Sequence, residues 1–380
     1  MKICLLNVLH EPFDKRVFQK VARSLTGAGH EVVSICPCEG QPPEAAHGVR
    51  FVAISPALSK KQRLLSVIRL ARLGKRERAD VYVGPEPESW VAALTVKLLT
   101  GARVVYDMHE HAPSEFAKFF PAPMQPFITW ITRRMMRLFA RFTDLIILTR
   151  QSFDTEWTGL NTPRALVINT NHLQAPCSEI PDTLREQYAP YPTIIHQGIF
   201  GDVRGSYQLL EAMKIAVQEI PELRCILLGE YKWGSEEEYR KAVEAAGLSD
   251  HILFLGNVPY DEVPAYIAVA RAGLILFQPG LLNHTLAMPH KLFDYMREMR
   301  PVIAPDFALE VAHIVKEADC GILVDVTNPP VIAEAIVKLL QDPDEAKRLG
   351  ENGRRLVETK YNWQADEKRL LEAFLALERR

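Results

Sequence analysis

The chain of 380 residues is poor in several features that would each have named a class of protein. It contains no run of about eighteen uninterrupted apolar residues, so no transmembrane helix is expected. The opening MKICLLNVLHEPFDKR has neither the long apolar core nor the small-residue cleavage site of a signal peptide, and a cytoplasmic protein is expected. Cysteine is sparse, at 4, 36, 38, 177, 225 and 320. Only Cys36 and Cys38 lie close together, with no second pair to complete a zinc site, so reduced thiols are expected. The net charge is only −2 at pH 7, and no recognition motif accompanies it, which argues against a nucleic-acid partner. Glycine is missing from LHEPFDKR, the loop after the first apolar run. A dinucleotide fingerprint needs glycines at that turn for close approach of the pyrophosphate, so a Rossmann dehydrogenase is disfavoured. No metal-ligand spacing occurs either; Asp-Pro-Asp at 342–344 falls between two helical stretches and is read as a turn and N-cap.

What is present is alternation. MKICLLNV, EVVSICP, VRFVAIS, VYVG, ARVVYDMHE and DLIILT are short apolar runs of the kind that form strands buried on both faces. Helical patterns separate them. DKRVFQKVARSLTGAGH carries Asp14 in its first turn, Val17, Val21 and Leu25 as its stripe, and Gly27 and Gly29 at its end. A basic helix follows from about 59 to 76, then one from SWVAALTVKLL. After residue 172 the pattern lapses into HLQAPCSEIPDTLREQYAPYP, which reads as a linker. It resumes with TIIHQGIF, SYQLLEAMKIAVQEI, RCILLGE, a helix near 235–247, HILFLGN, a helix near 261–270, AGLILFQ, PVIAPDF and GILVDV. The expected fold is α/β: two doubly wound, Rossmann-like units, with ligands outside the carboxyl ends of the strands in a cleft that the two units face. The boundaries are 1–172, a linker at 173–192, 193–360, and a last helix at 361–380.

The strand ends carry the chemistry. VVYDMHEH puts Asp107, His109 and Glu110 just past a buried strand, where a histidine can act as donor, acceptor or base. HQGIFGDVRGSY leads from a strand into a helix, so its backbone amides and Arg204 suit a phosphate. In NHTLAMPHKLFDYMREMRPVIAPDF, residues 283–288 are expected as a loop, Pro289 in the first helical turn, and Lys291 early in the helix. An ammonium and free amides suit a diphosphate; Asp294, one turn on, suits ribose hydroxyls.

The order and spacing of DKRVFQKVARSLTGAGHEV, VVYDMHE, GIFGDVRGSYQLLEAM, PHKLFDYM…PVIAPDF, CGILVDV and KYNW resemble the group-1, family-4-like retaining glycosyltransferases over nearly the whole chain. The resemblance implies a two-domain GT-B fold whose last helix crosses back onto the first domain. It implies a hexosyltransferase-type enzyme that moves sugar from a UDP- or GDP-linked donor to a glycan, lipid-linked or small-molecule acceptor, without metal or other cofactor. Carried over by position, Arg204 and Lys291 contact the donor diphosphate, Gly198 opens the phosphate loop, Asn257 and Val258 lie by the base, and Asp294 takes the ribose. Leu286, Ala287 and Met288 line the donor loop. His109 joins Arg204 and Lys291 as catalytic, with Asp14, Arg16 and Glu110 on the acceptor side. Leu286 stands where the family's first glutamate usually does, and Ile199 where an arginine often follows the loop glycine, as in the family's lysine variant. The leaving diphosphate would take the acceptor's proton on the same face. A GT-B sugar-nucleotide epimerase and a non-catalytic sugar-nucleotide-binding subunit are the alternatives.

Charge divides unevenly. Residues 1–172 hold 23 Lys+Arg against 15 Asp+Glu, a net of +8, and the remainder holds 22 against 32, a net of −10. Residues 60–78 carry eight Lys/Arg and one Glu; residues 116–143 carry five Lys/Arg, no acid, and interleaved aromatics and methionines. Such segments suit an anionic membrane surface, making a peripheral location on the inner face of the membrane an expectation.

Overall fold

A computed structural model describes residues 1–56 and 60–379. The expected start of the basic helix at about 59 and the last residue of the expected 361–380 helix lie outside the described residues. The chain forms two compact units, residues 1–169 with the segment from Trp363 onward, and residues 170–362.

In the first unit β1 (Lys2–Leu6) is followed by one irregular helix, π-type over Val17–Ala22 and α-type over Arg23–Gly27, α1. The single α-helix expected there is thus over-wide in its first turns. Asp14 Oδ1 caps it by accepting from the Arg16 and Val17 amides at 2.8 and 2.7 Å. Then come β2 (Glu31–Pro37), β3 (Val49–Ile54), α2 (Lys60–Glu77), β4 (Val81–Gly84), α3 (Pro87–Thr100), β5 (Arg103–Met108), α4 (Ala112–Ala117), α5 (Gln125–Ala140), β6 (Leu145–Leu148) and β7 (Arg164–Leu166). All pairings are parallel, in the order β3-β2-β1-β4-β5-β6-β7. The edge strand β7 escaped the sequence reading because RAL is too short to show a period.

The second unit opens with α6 (Asp182–Tyr188), a short helix within the stretch 173–192 expected as a linker. Its signal was weak, yet Tyr188 is buried. It continues through β8 (Thr193–Gln197), α7 (Ser206–Glu219), β9 (Arg224–Leu228), α8 (Glu236–Ala245), β10 (Ile252–Gly256), α9 (Val263–Val269), β11 (Ala272–Leu274), α10 (Leu282–Thr285), α11 (His290–Arg297), β12 (Val302–Pro305), α12 (Leu309–Ala318), β13 (Gly321–Val324), α13 (Pro329–Gln341) and α14 (Pro343–Thr359). The sheet is parallel in the order β10-β9-β8-β11-β12-β13. Asp342 Oδ1 accepts from the Glu345 amide at 3.0 Å, so Asp-Pro-Asp is the cap of α14.

The final helix, α15 (Trp363–Glu378), belongs to the first unit. Trp363 Nε1 donates to Ser24 Oγ at 3.2 Å and Asp366 Oδ1 accepts from the Ile168 amide at 3.0 Å. Trp363, Leu370 and Phe374 are buried with Val17, Val21 and Leu25 against Ile3 and Leu5 of β1. That burial is the larger force; each such side chain removed from water contributes about 1.5–3 kcal/mol.

In each sheet the chain builds outward from a central strand and then restarts on its other side, between β1 and β4 in one and β8 and β11 in the other. Loops diverge at such switch points and leave room for a ligand. Most of the predicted site residues stand near these two places, whereas Asn257 and Val258 follow the edge strand β10.

Candidate active site

At the first switch point Arg16 makes a two-pronged bond to Asp107 at the end of β5. Its Nη2 donates to Oδ1 at 2.7 Å and its Nε to Oδ2 at 3.1 Å. Both side chains are nine-tenths or more buried. His109 Nε2 lies 2.8 Å from Asp107 Oδ2 and 3.0 Å from Arg16 Nε. Asp107 Oδ2 is thus within hydrogen-bond reach of both the Arg16 Nε and the His109 ring. Burial works against the Asp107 charge, yet Arg16 and His109 outweigh it and hold the carboxyl well below the usual range. Beside them His10 packs edge-on against His109, centroids 5.2 Å apart, and its Nδ1 is 3.1 Å from Asp14 Oδ2. Burial opposes a charged His10, but Asp14, Glu86 and Asp107 raise it above its ordinary value. Burial likewise pushes the Asp14 carboxyl up, and His10 with the Val17 and Arg16 amides brings it down to about 2.

Asp14, Arg16 and His109 of the expected acceptor side therefore come together, whereas Glu110 is exposed beside them. Two members were missed. His10 sits in the glycine-free loop, and Glu86 follows β4, its carboxylate accepting from the Val8 and Leu9 amides at 3.2 and 2.9 Å. The signal was available: polar residues directly after buried strands at a switch point.

At the second switch point Lys291, second residue of α11, is 8% exposed and its Nζ lies 2.9 Å from His196 Nε2 in β8. Burial, reinforced by Arg204, pushes the Lys291 ammonium well below the usual lysine range, with Asp294 opposing. Burial, then Lys291 and Arg204, likewise hold His196 well below its ordinary value, so its ring is neutral and accepts from the lysine. Arg204 lies between two aromatic faces, its guanidinium carbon 5.4 Å from Trp233 and 5.5 Å from Phe277. Its Nε is buried and without a hydrogen-bond partner among the described residues. Burial lowers its pKa too. Two cations thus share a desolvated place where, among the described residues, neither has an ion-paired carboxylate. His196 was also missed in the sequence, though a histidine inside an otherwise apolar strand was the sign.

The loop between them differs from expectation. Gly198 has φ +88°, with the Lys291 Cε 3.8 Å from where a Cβ would stand. Gly201 has φ +145°, and a Cβ there would meet the Lys232 carbonyl oxygen at 1.7 Å, so only glycine fits. The amides of Gly198, Phe200, Asp202 and Arg204 donate to Leu228, Glu230, Trp233 and Gly201 carbonyls. These four amides of the expected phosphate loop already donate within the fold, and the positive charge beside the loop lies on the Lys291 and Arg204 side chains. Residues 283–288 are not all loop, since α10 runs to Thr285, followed by Leu286, Ala287 and Met288. Pro289 is the N-cap of α11, extended at ψ 140°, one place before the first turn expected for it.

Asp294 is fully buried. Its Oδ1 accepts from Asn171 Nδ2 at 2.7 Å and from the Tyr260 hydroxyl at 3.3 Å, with Arg297 Nη2 at 3.9 Å. It is therefore an interior anchor and not the open ribose ligand expected from its position. Asn257 and Val258 lie in the loop after β10, exposed and half-buried respectively.

Residues 184–356 match the family described as glycosyl transferases group 1, and residues 15–169 match the glycosyl transferase 4-like domain. Among curated proteins, the chain is 25% identical to spore coat protein SA of Bacillus subtilis over 187 residues, 48% of each chain. It is 22% identical to the alpha-D-kanosaminyltransferase of Streptomyces kanamyceticus over 254 residues, 65% of this chain and 63% of that one. It is 22% identical to the lipopolysaccharide core biosynthesis mannosyltransferase LpcC of Rhizobium leguminosarum bv. viciae, over 89% of this chain and 90% of that one. The chain spans about half to two thirds of the length of the first of these relatives. Among solved structures, HepE of Anabaena in complex with UDP superposes with a TM-score of 0.77 at 15% identity, over 99% of this chain and 100% of that one. Sucrose-phosphate synthase of Thermosynechococcus elongatus gives 0.75 at 18% identity, over 100% and 99%. Two parallel-sheet units, a last helix returned to the first unit and family matches along both parts make this a GT-B chain that belongs to the glycosyl transferases of group 1.

Proposed function

We propose that the protein transfers a hexose from a nucleoside-diphosphate sugar, UDP- or GDP-linked, to an acceptor hydroxyl, with retention at the anomeric carbon. The observation that carries the proposal is the unpaired cation pair, Lys291 and Arg204, at the β8/β11 switch point. A desolvated cation costs free energy, and an anion that replaces the lost hydration recovers it. The diphosphate is that anion; Asn257 and Val258 would lie along the base, and Leu286 to Met288 along the sugar. Asp294 holds Asn171 and Tyr260, and reaches ribose only by exchanging one of them.

In the reaction the bond from the anomeric carbon to the diphosphate oxygen breaks, and a bond to the acceptor oxygen forms on the same face. The acceptor's proton passes to the departing diphosphate. Lys291 and Arg204 stabilise the charge that grows on the leaving group, and no metal is assigned that task. Diphosphate binding would favour the charged form of Lys291, opposing the lowering that burial imposes. On the acceptor side we assign positioning of the acceptor to His109, held by Asp107, with Glu110 and the Asp14–His10 pair beside it. We place the protein in the cytoplasm, peripheral to an anionic inner membrane face, consistent with a lipid-linked acceptor. The similarity to transferases named for kanosaminyl and mannosyl transfer supports the reading. A panel of UDP- and GDP-sugars read by thermal shift and by transfer or slow hydrolysis, with and without EDTA, tests it. Stabilisation by one donor and turnover that survives EDTA are expected; no stabilisation by any donor overturns it.

A further inference from the structure

Helix α5 is inside out. At helical spacing Phe127, Trp130, Ile131, Arg134 and Leu138 share one face. That face is solvent-exposed, with Phe127 at 59%, Trp130 at 52% and Leu138 at 50%. The side turned into the protein carries Met136 and Ala140, both buried. A surface helix ordinarily buries its large apolar side chains; this one fully buries only a methionine and an alanine, tucks Phe139 partly in, and shows Phe127 and Trp130 to water. Phe116, Phe119 and Met124 before the helix and Phe142 after it extend the exposed patch. Phe127 stacks on Trp130, and the Arg134 guanidinium lies over the Trp130 ring at 5.5 Å.

The patch does not stand alone. Trp90 of α3 donates to Thr143 just beyond α5 at 2.9 Å and packs edge-on against Phe139 of α5, while α2 packs along α3. The three helices form one layer over the first sheet, on the face opposite α15. Along that layer α2 exposes Leu65 and Ile68 beside Arg69, Arg72 and Arg76, and α3 exposes Leu98.

We propose that this layer is the docking face for an anionic lipid bilayer: the α5 aromatics enter the acyl boundary, while the α2 arginines and Arg134 and Arg141 meet lipid phosphates. Charge argues for that occupant. Residues 116–143 hold five basic residues and no acid, so an anionic surface complements the face and a second copy does not, because a symmetric pairing would set like charges against each other. The proposal deepens the peripheral placement above and rests on it; the donor site does not enter, so the two can fail separately.

The test is co-sedimentation of the full chain, without nucleotide, with phosphatidylglycerol/phosphatidylcholine vesicles and with phosphatidylcholine alone. The variants are Phe127→Ser with Trp130→Ser and Leu138→Ser, and separately Arg134→Gln with Arg141→Gln. All five side chains are exposed at least in part, and unchanged thermal midpoints with unchanged nucleotide binding verify the fold. The account expects the wild type to favour anionic vesicles several-fold. The apolar variant should lose at least tenfold, the arginine variant a smaller factor, and high salt should weaken the remainder. Wild-type binding by the apolar variant, absence of vesicle binding, or a wild-type dimer that the apolar substitutions convert to monomer would each overturn the proposal.

Discussion

The two switch points treat charge in opposite ways. In the first unit the strand-end groups are set against opposite charge: Arg16 is paired with Asp107, and His10 lies against the Asp14 carboxylate. In the second, Lys291 leans on a neutral imidazole and Arg204 lies between two aromatic rings. A paired cluster is complete as folded and orients its neighbours; an unpaired one is complete only with an anion. The difference fits the roles proposed above, positioning of the acceptor in the first unit and holding of the donor in the second.

Breaking the paired side should give the largest effect on stability. Asp107→Ala leaves the Arg16 charge buried without its partner, for which about 3–5 kcal/mol is expected. Denaturant unfolding followed by the first unit's buried tryptophans should show it. Loss of under 1 kcal/mol would mean Arg16 already finds compensation elsewhere.

Breaking the unpaired side should instead cost function. Lys291→Ala and Arg204→Ala each remove a charge-assisted bond to phosphate, about 1.5–3 kcal/mol, or roughly tenfold to over a hundredfold in donor affinity and turnover. Steady-state kinetics with the donor found in the panel would read this, and wild-type rates in both variants would remove the site.

Stability should move the other way there. The Lys291 pKa is lower folded than unfolded, so the unfolded chain holds the extra proton, and burial of this group lowers stability until pH rises towards the ordinary lysine value. Lys291→Met should therefore stabilise the second unit by about 0.5–2 kcal/mol, a few degrees in midpoint, while donor affinity falls. A destabilised methionine variant would show that the lysine is compensated in the folded protein.

The alternation of short apolar runs with helical stretches was legible because period and length decide it locally. The positions of Arg204, Lys291, Asp14, Arg16 and His109 were legible because strand ends are. What failed to show depends on long-range packing. The bonds of the Gly198, Phe200 and Asp202 amides follow from their pairing with Leu228, Glu230 and Trp233, which the sequence of either stretch does not reveal. The burial of Asp294 follows from Asn171 and Tyr260, 123 and 34 residues away. Helix α6 needed the burial of Tyr188, and four prolines around it, at 176, 181, 190 and 192, masked about two helical turns.

The smallest effect expected is a pH dependence of the paired side. Asp14 titrates at about 2 when folded, below the roughly 3.9 of an unfolded aspartate. Its contribution is present above that unfolded value and is lost as pH falls through the folded one. Asp14→Asn should lower stability near neutral pH by about 1 kcal/mol at most and flatten the acid limb of the first unit's unfolding. An unchanged acid limb would shift the dependence to Asp107 alone.

The central claim, that Lys291 and Arg204 at the second switch point bind a diphosphate, is tested most directly by calorimetry of UDP and GDP binding. The account predicts binding of one nucleotide, with most of the affinity lost in Lys291→Met. Nucleotide binding at an affinity that Lys291→Met leaves unchanged would contradict it.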